Sequence, residues 1–139
     1  MAEKLPNQLK LEIVVPDRLL FSGSVDAVTV PGAAGYMGIL PGHAPLLSEL
    51  QVGVITYRQG NRITRLYCDW GFVEVLPDQV SILVEAAEES QEIDEGRARA
   101  DKERAESMLR SKEVTDYQDA INLWKMAVAR LEVKGTEGR

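Results

Sequence analysis

The sequence predicts an α+β fold: an N-terminal antiparallel β-sandwich of eight to ten strands over residues 1–88, then a C-terminal antiparallel two-helix hairpin over residues 89–139. Three observations carry the prediction. Up to Glu88 the chain is a series of short Val-, Ile- and Leu-rich runs with polar residues interleaved at period two. Turn residues separate these runs at close, regular spacing, the pattern of an all-β sandwich or barrel. Beyond Glu88 the period lengthens, and from Ile93 to Leu131 there is no proline and a single glycine, Gly96, which leaves the whole segment open to helix.

Taken in order, the strand candidates are "LKLEIVVP", "SVDAVTVP", "GVITYR", "RITRLYCDW", "FVEVL" and "QVSILVEA". Hairpin chemistry marks two joints, Gly60-Asn61 in "RQGNR" and Pro77-Asp78 in "LPDQV". Asp94 is the expected N-cap of the first helix, with Glu95/Arg99 and Glu106/Arg110 as i, i+4 pairs and a thin apolar side of Ala98, Ala105, Met108 and Leu109. Thr115 and Gln118 form a T-x-x-Q capping box for the second helix. In that helix Tyr117, Ala120, Ile121, Trp124, Ala127, Val128 and Leu131 recur as an amphipathic stripe. An alanine-rich first helix buries little area, so the hairpin is expected to borrow stability from the sandwich or a partner.

Composition narrows the function. The 139 residues, 45% hydrophobic and 27% charged, suit one ordinary core with a small appended element. A net charge of -6 gives no footprint for nucleic acid or anionic lipid. No apolar run approaches the roughly 20 residues that span a bilayer, and the start "MAEKLPNQLKLEIVV" lacks a secretory h-region, so a cytoplasmic protein without direct membrane insertion is expected. The single cysteine, Cys68, forbids an internal disulfide and a multi-cysteine metal site, and its apolar-alternating context predicts a buried thiol.

Catalytic signals are poor. The stretch "VPGAAGYMGILPGHAPLL" gathers four glycines, three prolines and the only histidine, His43. No nucleophile stands at sensible spacing from that imidazole, no phosphate-binding loop occurs, and the glycines fit turns needing positive φ. In the helical half, Arg97 and Arg104 stand seven positions apart on one face, with Asp94 a turn before and Glu88 upstream. Forked guanidinium donors on one face suit a polyphosphate, and the same spacing also fits a solvated face laced with ion pairs.

Over nearly its whole length the chain resembles the epsilon subunit of bacterial and chloroplast-type F-type ATP synthases. The likeness rests on "FSGSVDAVTVPGAAGYMGILPGHAPLLSELQVGVI", on "GFVEVLPDQVSILVEAAE" and on "IDEGRARADKERAE", with "GILPGHAPLL" the most specific part. The resemblance implies a non-catalytic central-stalk subunit that couples the gamma subunit to the membrane rotor ring of c subunits. It also implies restraint of ATP hydrolysis by a hairpin that is either compact or extended into the alpha/beta catalytic hexamer. The expected place is the cytoplasmic, inner face of a bacterial plasma membrane, peripheral to it. A free-standing ATP-binding sensor of the same architecture is the second reading.

The resemblance also carries site residues. Tyr36, Met37 and His43 fall where such subunits meet the ring and stalk, although an acidic residue often stands at the position of Tyr36 and a small one at that of Trp70. No cofactor is required. ATP is expected as a regulatory ligand, because Ile93, Asp94, Arg97 and Ala98 fill the I-D-x-x-R-A motif, with Glu88, Arg104 and Arg130 matching further contacts. Met126 stands where strong binders carry another arginine, and a missing charge-assisted contact of this kind costs about 1.5–3 kcal/mol.

Overall fold

The computed structural model describes residues 6–111 and 116–135. Ten strands come first: β1 Leu9–Val15, β2 Arg18–Val25, β3 Ala27–Gly32, β4 Gly35–Ile39, β5 Leu46–Leu50, β6 Gly53–Gln59, β7 Arg62–Cys68, β8 Gly71–Leu76, β9 Gln79–Val84 and β10 Ala87–Glu89. A 3-10 turn, Ser90–Glu92, leads to α1 Glu95–Arg110 and α2 Tyr117–Gly135. The strand β10 straddles the division expected after Glu88.

The strands hydrogen-bond in the order β10-β7-β6-β3-β5-β8-β9-β1-β2, with β4 on β3. Pairing is antiparallel except between β1 and β9, which run parallel with Leu11 opposite Val80 and Ile13 opposite Ile82. That pair departs from the expected all-antiparallel sheet. Parallel neighbours need a long crossover, and here everything from β2 to β8 serves as one.

Inward side chains of both halves meet in one core. Leu11 and Ile13 of β1, Val73 and Val75 of β8, and Val80 and Ile82 of β9 are fully buried, and Val28, Val30, Ile55, Leu66 and Cys68 join the same cluster. Burying each such aliphatic side chain contributes about 1.5–3 kcal/mol. The expected burial of Cys68 holds, and desolvation pushes its thiol up to about 12. Gly60 turns β6 into β7 with φ +62°, and Pro77-Asp78 lies between β8 and β9, as the turn chemistry predicts.

Asp94 caps α1 as expected, accepting from Arg97 N at 3.1 Å. Glu95 pairs with Arg99 at 2.8 Å. Glu106 pairs with Lys102 at 3.8 Å rather than with Arg110. Thr115 lies outside the described residues, so its capping box does too. Asp116 does the capping that is visible, its carboxylate accepting from Gln118 N at 3.0 Å and Asp119 N at 3.2 Å.

The helices pack on each other with Ala98, Ala105, Ala120 and Ala127 buried, and α2 in turn lies on β6 and β7. The burial of α2 therefore has two sides, and the single expected stripe is only one of them. Tyr117 and Trp124 of that stripe are exposed, whereas Ala129 and Val133, outside it, are buried.

Candidate functional site at the hairpin and on the sheet faces

Strand register decides what α2 meets. In β7, Leu66 and Cys68 point into the main core, so Tyr67 between them points outward. By the same alternation Val54 of β6 and Glu88 of β10 share that outer face, since Tyr67 is opposite Val54 on one side and Glu88 on the other. Val52, Val54, Tyr67, Ile93, Ala129 and Val133 form a second buried cluster, with Met126 packed against it. This cluster is the seam between hairpin and sandwich.

At the edge of the seam lies a cleft of about 160 Å³ lined by Glu88, Glu92, Asp94, Arg97, Ala98, Asp101 and Arg130. It brings together five of the seven residues expected for ATP. Arg130 Nε donates to Glu88 Oε1 at 2.5 Å, with both side chains about a quarter exposed, at 24% and 27%. The Arg130 guanidinium carbon lies 4.2 Å from the Tyr67 ring centroid. Burial opposes the charge of Arg130, but the bond to Glu88 and the nearby Tyr67 and Asp69 hold its pKa above the ordinary value. Tyr67 donates its hydroxyl to Asp69. Burial first, and then that bond and the Asp69 charge, push the phenol well above its usual range.

The other two residues lie elsewhere. Ile93 is buried in the seam, and Arg104 projects from α1 further along, exposed and 3.7 Å from Asp101. Met126 packs its side chain into the seam beside Arg130's helical turn.

The three expected ring and stalk contacts do not share one surface. Tyr36 and Met37 are successive residues of β4 and so face opposite ways. Met37 packs on the main core, whereas the Tyr36 hydroxyl accepts from Val54 N at 3.0 Å. Its phenol is shifted up by burial and, more weakly, by the charge of Glu132, and its bond to Val54 sets it at the margin of the hairpin seam with the ring largely exposed. His43 sits in the β4–β5 loop with Nδ1 2.7 Å from Ala44 O, beside the exposed Leu40, Leu46 and Leu47.

Among the described residues nothing covers a second outer face, that of β8, β9 and β1. Phe72 is opposite Leu83, and Leu83 is opposite Val14, so the three form an apolar row across the sheet. Phe72 and Leu83 are each 52% exposed, with Leu19 and Trp70 nearby in register or sequence and also exposed. A groove of about 400 Å³ runs along this row, lined by Val14, Val15, Pro16, Gly71, Phe72, Leu83, Val84 and Glu85.

Residues 8–90 match the family described as "ATP synthase, Delta/Epsilon chain, beta-sandwich domain", and residues 91–135 match its "long alpha-helix domain". The chain belongs to the ATP synthase epsilon-chain family. Similar members include ATP synthase epsilon chain 2 of Syntrophotalea carbinolica, 42% identical over 137 residues that cover 97% of this chain and 99% of that one. The epsilon chain of Syntrophobacter fumaroxidans is 47% identical over 134 residues, covering 96% and 97%. That of Geobacter sulfurreducens is 41% identical over 141 residues, covering 100% and 99%. The fold also matches a chain in Euglena gracilis mitochondrial ATP synthase, OSCP/F1/c-ring, with TM-score 0.83 at 22% identity over 94% of this chain and 82% of that one.

As an epsilon-family member the chain is non-catalytic, in keeping with the dearth of nucleophiles read in the sequence. No helix among the described residues is long and apolar enough to cross a membrane. Sequence reasoning missed Tyr67 and Asp69, which stand behind Arg130 of the cleft, and Phe72 and Leu83 on the open face. A signal existed for each face. "LYC" breaks the apolar-polar alternation, which marks a strand buried on both sides. Phe72 and Leu83 occupy the polar phase of their strands, in step with Glu74 and Ser81.

Proposed function

We propose that this chain is a rotor subunit of an F-type ATP synthase, joining the gamma stalk to the ring of c subunits and restraining ATP hydrolysis through its hairpin. The observation that carries the reading is the uncovered apolar row of Val14, Phe72 and Leu83. A row of this kind fits a protein seat, with large apolar side chains at its centre and Glu49 and Glu85 at its rim. We assign the gamma subunit to that row and the ring to the β4–β5 loop around His43, which places the chain at the inner, cytoplasmic face of the membrane. The hairpin is the movable part, because among the described residues α2 meets the sandwich through only Met126, Ala129, Val133 and the Arg130–Glu88 pair. Extended, it would reach the alpha/beta hexamer.

ATP is the regulatory ligand proposed for the cleft. Arg97 and Arg130 supply forked donors there, but Glu88, Glu92, Asp94 and Asp101 surround them. A polyphosphate has to take Arg130 from Glu88, so binding is expected to be weak, and it would favour the compact hairpin.

Reconstitution tests the division of labour. A chain ending at Ser90 keeps all ten strands, and it should still join the gamma-containing complex while that complex hydrolyses ATP faster than with the full chain. Failure to join, or unchanged hydrolysis, overturns the reading. Calorimetric titration with ATP tests the ligand separately, and absence of binding removes ATP while leaving the rotor assignment intact.

A further inference from the structure

The residues that join Arg130 to the sandwich are arranged as a catch. Antiparallel register places Glu88 directly opposite Tyr67, so their side chains leave the sheet side by side, with Cβ atoms about 5 Å apart. Above them α2 lays one guanidinium across both, donating to the carboxylate at 2.5 Å and covering the ring at 4.2 Å. Tyr67 is fully buried, and its hydroxyl is held by Asp69, so the ring cannot turn away from the cation.

We propose that Glu88, Tyr67 and Asp69 form a latch that holds α2, through Arg130, on the sandwich with no ligand bound. The apolar remainder of the seam is thin: on the helix side it is Met126, Ala129 and Val133. With so few apolar side chains on the helix side, the charge-assisted bond and the cation–π contact each add to the docking on the scale of one of them. The latch is also reversible by construction. Breaking an ion pair is strongly destabilising when it leaves one charge buried without its partner or water. Glu88 and Arg130 lie at the rim, so both rehydrate when α2 lifts, and neither is stranded. Tyr67 and Asp69 stay together on the sandwich and keep the receiving surface formed. For its regulatory consequence, a compact state that needs no nucleotide, the latch rests on the hairpin being the mobile element proposed above.

The test needs neither nucleotide nor synthase. Hydrogen exchange of the full-length isolated chain reports α2 and the core strands separately, because local opening exposes only the amides of the segment that opens. Glu88→Gln and Arg130→Gln should each raise exchange in α2 about tenfold, which is about 1.4 kcal/mol. The double variant should be no worse than Arg130→Gln alone, since that variant already loses the bond to Glu88 together with the contact on Tyr67. Amides of β1, β8 and β9 should not change. Exchange in α2 that is unaltered in either single variant, or losses that add in the double, overturn the latch. Loss of protection in β8 and β9 also overturns it, because the pair would then support the sandwich and not the docking. Charge reversal, Glu88→Arg with Arg130→Glu, should bring protection of α2 back toward that of the native chain, and no recovery counts against the latch. None of these outcomes bears on assembly with gamma, which the reconstitution decides by itself.

Discussion

The two outer faces of the sandwich are built from the same kind of alternating strand, but among the described residues only that of β6, β7 and β10 is covered. The covered face presents Val52, Val54 and Tyr67 to Ala129 and Val133, with the Glu88–Arg130 pair at its edge. The open face presents Val14, Phe72 and Leu83, with Leu19 and Trp70 close by and acidic residues only at its margin. A short row of apolar contacts from one helix and one rim ion pair make an attachment that can be undone. Large apolar side chains with no charge among them make a seat that is costly to leave in water. Under the rotor reading proposed above, the difference would separate a part of the chain that moves from a part that stays bound.

The largest effect expected comes from two glycines, one near each face. At Gly71 an added Cβ would lie 1.9 Å from Leu83 O and 2.7 Å from Val84 Cα, both backbone atoms of the neighbouring strand. Gly71→Ala should therefore cost about 3 kcal/mol or more, or prevent folding. At Gly53 the added atom would meet Pro31 Cβ and the Tyr36 hydroxyl, each at 2.7 Å, and these are side-chain atoms at the seam. Gly53→Ala should cost less, about 1 kcal/mol, mainly by pushing Tyr36 aside. Urea denaturation of both variants measures the contrast, and equal losses would mean that the open-face sheet is no more rigid than the seam.

Next in size is the loss of partners. Phe72→Asp with Leu83→Asp should abolish co-purification with a gamma-type subunit, while the isolated chain still folds at a cost of about 1–2 kcal/mol, since both residues are already half exposed but the two carboxylates would stand opposite each other. Val133→Asp buries a carboxylate in the seam and should free α2 without affecting co-purification. If the open-face variant still co-purifies, the gamma seat lies elsewhere and the comparison loses its functional meaning.

These contrasts also explain what the sequence made legible. Period two and the pairs Gly60-Asn61 and Pro77-Asp78 identified strands and hairpins because both signals are local. The parallel pairing of β1 with β9 was not legible, since nothing near Leu11 or near Val80 records the other. On α2 the stripe from Tyr117 to Leu131 reads as one face because a hairpin needs only one. Met126, Ala129 and Val133 form a second, at i, i+3 and i+7, and Arg130 within it disguises the pattern as polar. Of the ATP-site residues, Glu88, Asp94, Arg97, Ala98 and Arg130 do gather, whereas Arg104 lies beyond the cleft. Helical phase put Arg104 on the face of Arg97, but two turns also carried it about 10 Å along the axis.

The smallest effect concerns adjacent residues on opposite faces of β7. Cys68 lies in the main core, and Tyr67 lies under α2, so releasing the helix should uncover one and not the other. Burial raises the Cys68 thiol from 9.0 to about 12, so the folded chain keeps a proton that the unfolded chain loses above pH 9. The stabilisation is thus complete below pH 9 and declines as pH rises toward 12, reaching about 1.4 kcal/mol of loss by pH 10. Tyr67 has the same sign but starts from the ordinary phenol value of 10.0, one unit later. Unfolding measured at pH 8 and pH 10 should show the loss, and Cys68→Ser should reduce it. At pH 8 a thiol reagent should label Cys68 only through opening of the sandwich, and Glu88→Gln, which frees α2 alone, should leave that rate unchanged. Faster labelling in Glu88→Gln would show that lifting the helix loosens the core beneath it, and the two sides of the strand would then be one cooperative unit.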